Sequence, residues 1–242
     1  MRVPPGGVGR PMSEIVLASH QPDFFPWMGY FYKMFQSDIF VFSDNVLFSK
    51  TGRHNYNDIK TGNGRMRFTI PIHYHLKNLN ELKLALDDKG ANKMLKTLWM
   101  EYRGSEHFDD AFPLIEDLIM KYDKANSLAD FNLVCIYEIA ERFGLTSSRE
   151  FHVASNLDLK YRRDAKCIEL CKMFGADTYI SGEGAKDYHV EKDYRLNGIK
   201  LVYTNYEPIV YKQKGKGFEP NLSVIDYVMN CGFTLPKEWK RI

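Results

Sequence analysis

The chain has 242 residues, and its 33 Lys and Arg residues nearly balance its 31 Asp and Glu residues, which leaves a formal net charge of +2. Proteins that bind nucleic acids usually carry a larger basic excess, so we expect no nucleic-acid partner. The four cysteines, none in a CxxC spacing, disfavour a disulfide framework and indicate a reducing compartment. No apolar run approaches the roughly 20 residues that span a bilayer. We therefore expect a cytoplasmic protein with no membrane insertion.

Residues 1–12 differ in composition from the rest of the chain. The segment is rich in Gly and Pro and lacks the apolar region of a signal peptide, so we interpret it as a disordered or non-native tail. Residues 13–242 are long enough to bury a substantial core. We predict that they form a single α/β domain with a helical insertion at about 89–145.

Strands and helices alternate along most of this domain. A short strand runs into Ser19, a helix follows over 28–36, and the apolar run at 39–42 predicts a buried parallel strand. Two extended segments flank Gly62-Asn63-Gly64, which is typical of a hairpin. After the helical region we predict strands at 151–153, 178–180 and 199–202, and helices at 161–174 and 223–231, with Asp226 placed for a capping box. The pattern predicts a mostly parallel open sheet with helices on both faces.

The end of the first strand carries the most informative polar residues. Ser19 and His20 end the strand, and Pro22 and Pro26 then hold a rigid turn before an aromatic-rich helix. Open α/β sheets bind ligands at the carboxyl ends of their strands. We interpret His20 as a general base or a ligand of a phosphate, with the amide of Gln21 beside it. The alternative is a histidine that caps the helix or bonds a backbone carbonyl group.

A second polar segment follows the apolar strand at 39–42. It emerges at the same sheet edge if the strands are parallel, so we assign Asp44 and Lys50 to the catalytic set with His20. The local excess of positive charge suits a phosphate or a carboxylate. The side chains expected to bind this anion are Lys50, Arg53, Asn55, Asn57 and Lys60. The alternative is a solvated loop.

A third segment begins where the strand at 178–180 ends. Ser181 is followed by Gly182 and Gly184, and glycines at such a turn allow backbone amides to approach an anion. The spacing is neither that of a dinucleotide-binding loop nor that of a P-loop. We predict an anion-binding turn that meets His20 and Lys60 at one edge of the sheet, although glycine-rich turns without ligands are also common.

Taken together, the motifs resemble those of the WbqC-like family over residues 15–232, nearly the whole chain. The motifs are His20-Gln21-Pro22, Phe25-Pro26-Trp27-x-Gly29-Tyr30-Phe31, Asn55-x-Asn57-x-Ile59-Lys60, Gly175-Ala176-Asp177-x-Tyr179-x-Ser181-Gly182, Tyr188, Tyr211-x-Gln213 and Phe218-x-Pro220-x-Leu222-Ser223-x-x-Asp226. The resemblance adds Trp27, Tyr188 and Gln213 to the expected substrate-binding residues. Asp44-Asn45 stands where paired aspartates are usual, and we predict no metal site.

The resemblance implies a role in the biosynthesis of O-antigen, lipopolysaccharide and related surface polysaccharides, with transfer of a glycyl-like or other acyl group onto a sugar. We expect a transferase whose phosphate-bearing substrate is a nucleotide- or carrier-linked sugar. One alternative is a ligase with the topology of HIGH-type nucleotidyltransferases, which would activate a carboxylate with ATP and Mg²⁺. The other is a non-catalytic nucleotide-sugar-binding protein, in which aromatic residues such as Trp27 stack on the sugar. The sequence specifies no cofactor.

Overall fold

The structure is a computed structural model that describes residues 14–241, so the tail predicted at 1–12 lies outside the described residues. The strands are β1 (Val16–His20), β2 (Ile39–Phe42), β3 (Tyr56–Thr61), β4 (Gly64–Thr69), β5 (Glu150–Val153), β6 (Thr178–Ser181) and β7 (Lys200–Tyr203). The α-helices are α1 (Met28–Gln36), α2 (Asp88–Tyr102), α3 (Phe108–Met120), α4 (Leu128–Arg142), α5 (Arg163–Phe174), α6 (Glu191–Leu196) and α7 (Val224–Cys231).

Five strands form one parallel sheet in the order β5-β2-β1-β6-β7. In the central strand β1, Ser19 lies opposite Val41 of β2, and Ala18 lies opposite Ile180 of β6. The outer strands β5 and β7 are also parallel to their neighbours. The predicted α/β class with an open parallel sheet is confirmed.

Helices cover both faces of this sheet because successive residues of a strand point to opposite sides. Ala18 packs into a large core that includes α1, the helical insertion and α7. Leu17, its neighbour in β1, packs into a second core that includes α5. Both side chains are completely buried. None of the helices within residues 14–241 has the length and apolar character needed to cross a bilayer.

The hairpin and the helical insertion lie outside the five-stranded sheet. Strands β3 and β4 form an antiparallel pair of their own, with Thr61 opposite Gly64 at the turn that the sequence predicts. Helices α2, α3 and α4 occupy the predicted insertion and contribute to the same core as α1. The hairpin therefore adds a layer against the domain instead of widening the sheet.

Helix α7 begins differently from the sequence prediction. Ser223 caps it, since its Oγ accepts a hydrogen bond from the amide of Ile225 at 3.2 Å. Asp226 closes no capping box, because its carboxylate accepts the hydroxyl groups of Tyr102 at 2.9 Å and Tyr211 at 2.7 Å. The spacing of Ser223 and Asp226 permits a capping box. The two buried hydroxyl groups satisfy this carboxylate instead.

Candidate functional site

The order of the strands creates a change of direction between β1 and β6. From β1 the chain continues to β2 and β5 on one side of the sheet, and it later adds β6 and β7 on the other. Ligands of open α/β sheets bind outside the carboxyl ends of the strands at such a point. His20 ends β1 and Ser181 ends β6, so both residues lie at this edge.

The imidazole of His20 is held in one tautomer. Its Nδ1 lies 3.1 Å from the carbonyl oxygen of Gln21, and a carbonyl oxygen only accepts, so Nδ1 carries the proton and Nε2 is the acceptor. The ring contacts Tyr30 edge to face at 4.7 Å, and 33% of the side chain is exposed. Burial and the nearby Lys33 ammonium lower the pKa of His20 to about 4. His20 is therefore neutral at pH 7.

Buried polar groups behind His20 fix the end of β1. Asp23 places Oδ2 4.0 Å from Nδ1 of His20, and its Oδ1 lies 3.1 Å from Nδ1 of the buried His54. Lys33 of α1 donates to the carbonyl oxygen of Ser19 at 2.7 Å. Burial lowers the pKa of Lys33 to about 8. These groups hold the strand end in place, since all three side chains are buried.

Ser181 belongs to a chain of hydrogen bonds that the sequence did not reveal. Its Oγ lies 2.7 Å from Nε2 of His189, and Nδ1 of His189 lies 2.5 Å from Oδ1 of Asp164. The second oxygen of Asp164 accepts the amide of Val190 at 2.7 Å, and the hydroxyl group of Tyr194 donates to Oδ1 at 3.2 Å. We call Ser181, His189 and Asp164 the serine relay.

A cleft of about 620 Å³ opens beside the end of β2 and the start of α5. We call it the basic cleft, because Lys160, Arg162, Arg163 and Lys166 line it. Lys166 donates to the hydroxyl group of Ser43 at 3.0 Å, and burial lowers its pKa. None of the ion pairs among residues 14–241 involves Lys160, Arg162 or Arg163. Their positive charge is free to meet an anion.

Two of the predicted site residues hold the backbone around the sheet edge. Asn57 is fully buried and donates through Nδ2 to the carbonyl oxygen of Phe25 at 2.9 Å. Asp44 is 3% exposed, and its Oδ1 accepts the amide of Ser155 at 2.9 Å. Both side chains bind within the protein, Asn57 at the turn after β1 and Asp44 at the end of β2.

Lys60 and Gln213 lie together in a separate buried cluster. The ammonium group of Lys60 donates to Oε1 of Gln213 at 3.2 Å and to the carbonyl oxygen of Gly217. The backbone amide of Lys60 also donates to the hydroxyl oxygen of Tyr102 at 3.2 Å. The structure thus brings Lys60 and Gln213 to each other and not to His20.

The other predicted side chains are spread over the surface around these groups. Arg53 donates to Oδ1 of Asn57 at 2.7 Å, and Asn55 donates to the carbonyl oxygen of Ile70 at 3.1 Å. Lys50 is exposed and places its Nζ 4.8 Å from the ring centre of Tyr74. The remaining predicted residues lie apart from these three. They are the half-buried Gln21 at the end of β1, Trp27, whose ring centre lies 5.0 Å from that of Tyr206, the exposed Tyr188, and Gly182 and Gly184 beyond β6.

The edge of the sheet therefore carries two groups of polar residues on opposite faces. The pairing of Ala18 with Ile180 places Ser19 level with Ser181. Alternation then directs His20 to the face of α1, where it contacts Tyr30, and Ser181 to the face of α5.

His189 and Asp164 were missed because no local pattern marks them. Asp164 lies in the first turn of α5, and His189 follows a short 3₁₀ turn after β6, so only the fold joins them to Ser181. The basic cleft, in contrast, could have been predicted from the sequence. Lys160, Arg162 and Arg163 form a run of positive charge at the start of the helix predicted over 161–174, where anions bind readily.

These features define a doubly wound α/β protein with polar side chains at the carboxyl edge of its parallel sheet. The WbqC-like protein family model matches residues 21–237, and the chain belongs to that family. The chain is also similar to an uncharacterized protein of Mycobacterium tuberculosis (strain ATCC 25618 / H37Rv), with 26% identity over 224 residues that cover 89% of this chain and 94% of that protein. No solved structure matches the chain.

Proposed function

We propose that the protein is a cytoplasmic transferase of bacterial surface polysaccharide biosynthesis, of the O-antigen type. It moves an amino acyl group such as glycyl, or another acyl group, onto a nucleotide- or carrier-linked sugar. The observation that carries the proposal is the basic cleft, because its Lys and Arg side chains lack ion-pair partners within residues 14–241 and lie beside the strand ends. A diphosphate-linked sugar offers the matching negative charge.

The basic cleft suits the phosphates, and His20 suits the reacting group. Arg162 and Arg163 precede and open helix α5, where positive side chains oppose the helix dipole and a bound anion would relieve the conflict. His20 is neutral, and within residues 14–241 no hydrogen bond occupies its Nε2, so Nε2 can accept a hydrogen bond from the amine or hydroxyl group of the sugar and orient that group. Lys50 and Gln21 are exposed enough to contact the same substrate.

The test is a transfer assay with two variants and a matched control. The assay supplies nucleoside-diphosphate amino sugars together with acetyl and glycyl thioesters. Mass spectrometry measures the increase in the mass of the sugar on acylation. We expect His20→Ala to lower kcat by about 100-fold or more, and Arg163→Ala to raise KM for the nucleotide sugar. The exposed His75→Ala variant should match the wild type. Each variant should keep its melting temperature.

Two outcomes of the same assay count against this function. If His20→Ala lowers activity and melting temperature together, His20 is structural. If the protein binds a nucleotide sugar tightly but returns it intact with every donor, it is a binding protein and not a transferase.

A second candidate is adenylyl transfer, in which ATP and Mg²⁺ activate a carboxylate. The observation that favours it is the strand order, since doubly wound sheets that bind nucleotides show the same change of direction beside their first strand. Pyrophosphate release that depends on an added amino acid would identify this reaction. Transfer from a preformed thioester without ATP would identify the first.

A further inference from the structure

We propose that Ser181 is a nucleophile that carries the acyl group as an ester, with His189 as its base and Asp164 as the residue that orients the base. The inference rests on the proposed acyl transfer and assigns its donor half to residues on the opposite face of the sheet from His20. Its basis is the continuous hydrogen-bond chain from Oγ of Ser181 to Nε2 of His189 at 2.7 Å, and from Nδ1 to Asp164 at 2.5 Å.

The carboxylate of Asp164 fixes the proton on the correct ring nitrogen. An ionised carboxylate only accepts, so Nδ1 of His189 is the donor to Asp164, and Nε2 is left to accept the hydroxyl proton of Ser181. Val190 and Tyr194 hold Asp164 in this orientation through its two oxygens. A serine, a histidine and an aspartate with these roles form an acyl-transfer triad whatever the fold or the sequence order.

The position of Ser181 also suits a nucleophile. It ends β6 at the change of strand direction, and Gly182 follows it. The amide of the residue after an acyl-transfer nucleophile commonly donates to the oxyanion, and we assign this role to Gly182. The space beside both glycines is open, because a Cβ at Gly182 or Gly184 would meet no atom within 4 Å.

Ser181 must become accessible before an acyl donor can reach its Oγ. Ser181 itself is 3% exposed, whereas five of the six residues of the 3₁₀ turn Glu183–Tyr188 are exposed. Within this turn the amide of Ala185 donates to the carbonyl oxygen of Gly182 at 3.1 Å, and Oε1 of Glu183 accepts the amide of Asn205 at 3.1 Å. We expect a movement of this turn, which lies next to Ser181 in the chain, to expose Oγ to the acyl donor.

The reaction has two balanced halves. Oγ of Ser181 forms a bond to the carbonyl carbon of a thioester or acyl phosphate, and its proton moves to Nε2 of His189. The bond from that carbon to the leaving group breaks, and the leaving group takes the proton from Nε2. The sugar amine or hydroxyl group then bonds to the acyl carbon, and its proton passes through Nε2 to Oγ as the serine ester breaks.

The test traps the serine ester without knowledge of the natural substrates. The full chain is treated with p-nitrophenyl acetate and, separately, with a fluorophosphonate, and the adduct is located by peptide mass spectrometry. We expect one adduct per chain on Ser181 and a burst of one equivalent of nitrophenol. Asp164→Asn should slow the labelling by about 100-fold or more. The exposed Ser147→Ala variant should label at the wild-type rate.

The wild-type adduct is mapped directly, so the test does not depend on whether Ser181→Ala folds. If neither probe labels Ser181 in the folded protein, or if Asp164→Asn leaves the rate unchanged, the relay is only a structural contact. A labelled Ser181 in a protein that acylates no sugar would leave this inference standing and remove the proposed function. Sugar acylation without a Ser181 adduct would support the proposed function and overturn this inference.

Discussion

Lys60 belongs to a motif that the sequence assigns to substrate binding, yet its ammonium group is bound in the protein interior. Lys60 is 4% exposed, and its ammonium group is bound by Gln213 and by a backbone carbonyl group. Asp226 lies in the same buried region, where its pKa is raised by burial, and Lys60 acts in the opposite direction. The positive charge of Lys60 therefore favours the ionised form of Asp226, after the hydroxyl groups of Tyr211 and Tyr102.

We expect Lys60→Ala to lower the free energy of unfolding by about 1–3 kcal/mol, because the carbonyl oxygen of Gly217 loses its ammonium donor in the interior and Oε1 of Gln213 keeps only the amide of Glu219. The exposed Lys50→Ala variant should change it by less than about 0.5 kcal/mol. Urea unfolding followed by circular dichroism measures both values. A Lys60→Ala protein of unchanged stability that no longer binds nucleotide sugars would restore Lys60 as a substrate ligand.

Among the structural elements, the turn between β1 and α1 depends most on distant parts of the chain. Phe25 has a φ of 37°, a strained conformation for a residue with a side chain. Its carbonyl oxygen accepts Nδ2 of Asn57 at 2.9 Å and Oγ of Ser223 at 2.8 Å. The hairpin and the start of α7 thus hold the turn that follows His20.

We expect Asn57→Ala to lower the free energy of unfolding by about 1–3 kcal/mol, since a buried carbonyl group loses a donor and the turn loses support. Activity of the folded fraction should also fall, because the turn begins directly after His20. Asn63→Ala, at the exposed tip of the same hairpin, is the control and should change neither quantity. Thermal unfolding together with the transfer assay checks this. A stable Asn57→Ala protein with reduced activity would instead place Asn57 in the substrate site.

The elements themselves were predictable because their signals are local. Apolar runs marked β2, helical periodicity marked the insertion, and Gly175, with a φ of 64°, ended α5 as its position predicts. The partners of Ser181 and Lys60 were not predictable, because His189, Asp164 and Gln213 reach them only through the packing of separate elements. A sequence motif identifies candidate functional residues but does not show whether their side chains face a substrate or the protein interior.

At the scale of the whole molecule, the helical insertion is joined to the sheet through one large core. Asn132 of α4 is fully buried and donates to the carbonyl oxygens of Pro22 at 2.8 Å and His54 at 2.7 Å. Phe131 beside it stacks with Phe24, with ring centres 6.2 Å apart. The insertion therefore packs directly on the turn that follows β1.

This packing predicts that the insertion and the sheet unfold as one unit. Amide hydrogen exchange of α4 and of β1 should report the same free energy of opening, because neither element can separate without exposing the shared core. Phe131→Ala should lower both values together by about 3–5 kcal/mol. Val134→Ala, on the exposed side of α4, should lower neither by more than about 0.5 kcal/mol. If Phe131→Ala speeds exchange in α4 while β1 keeps its protection, the insertion is a separate folding unit, and its contact with the turn after His20 does not stabilise the site.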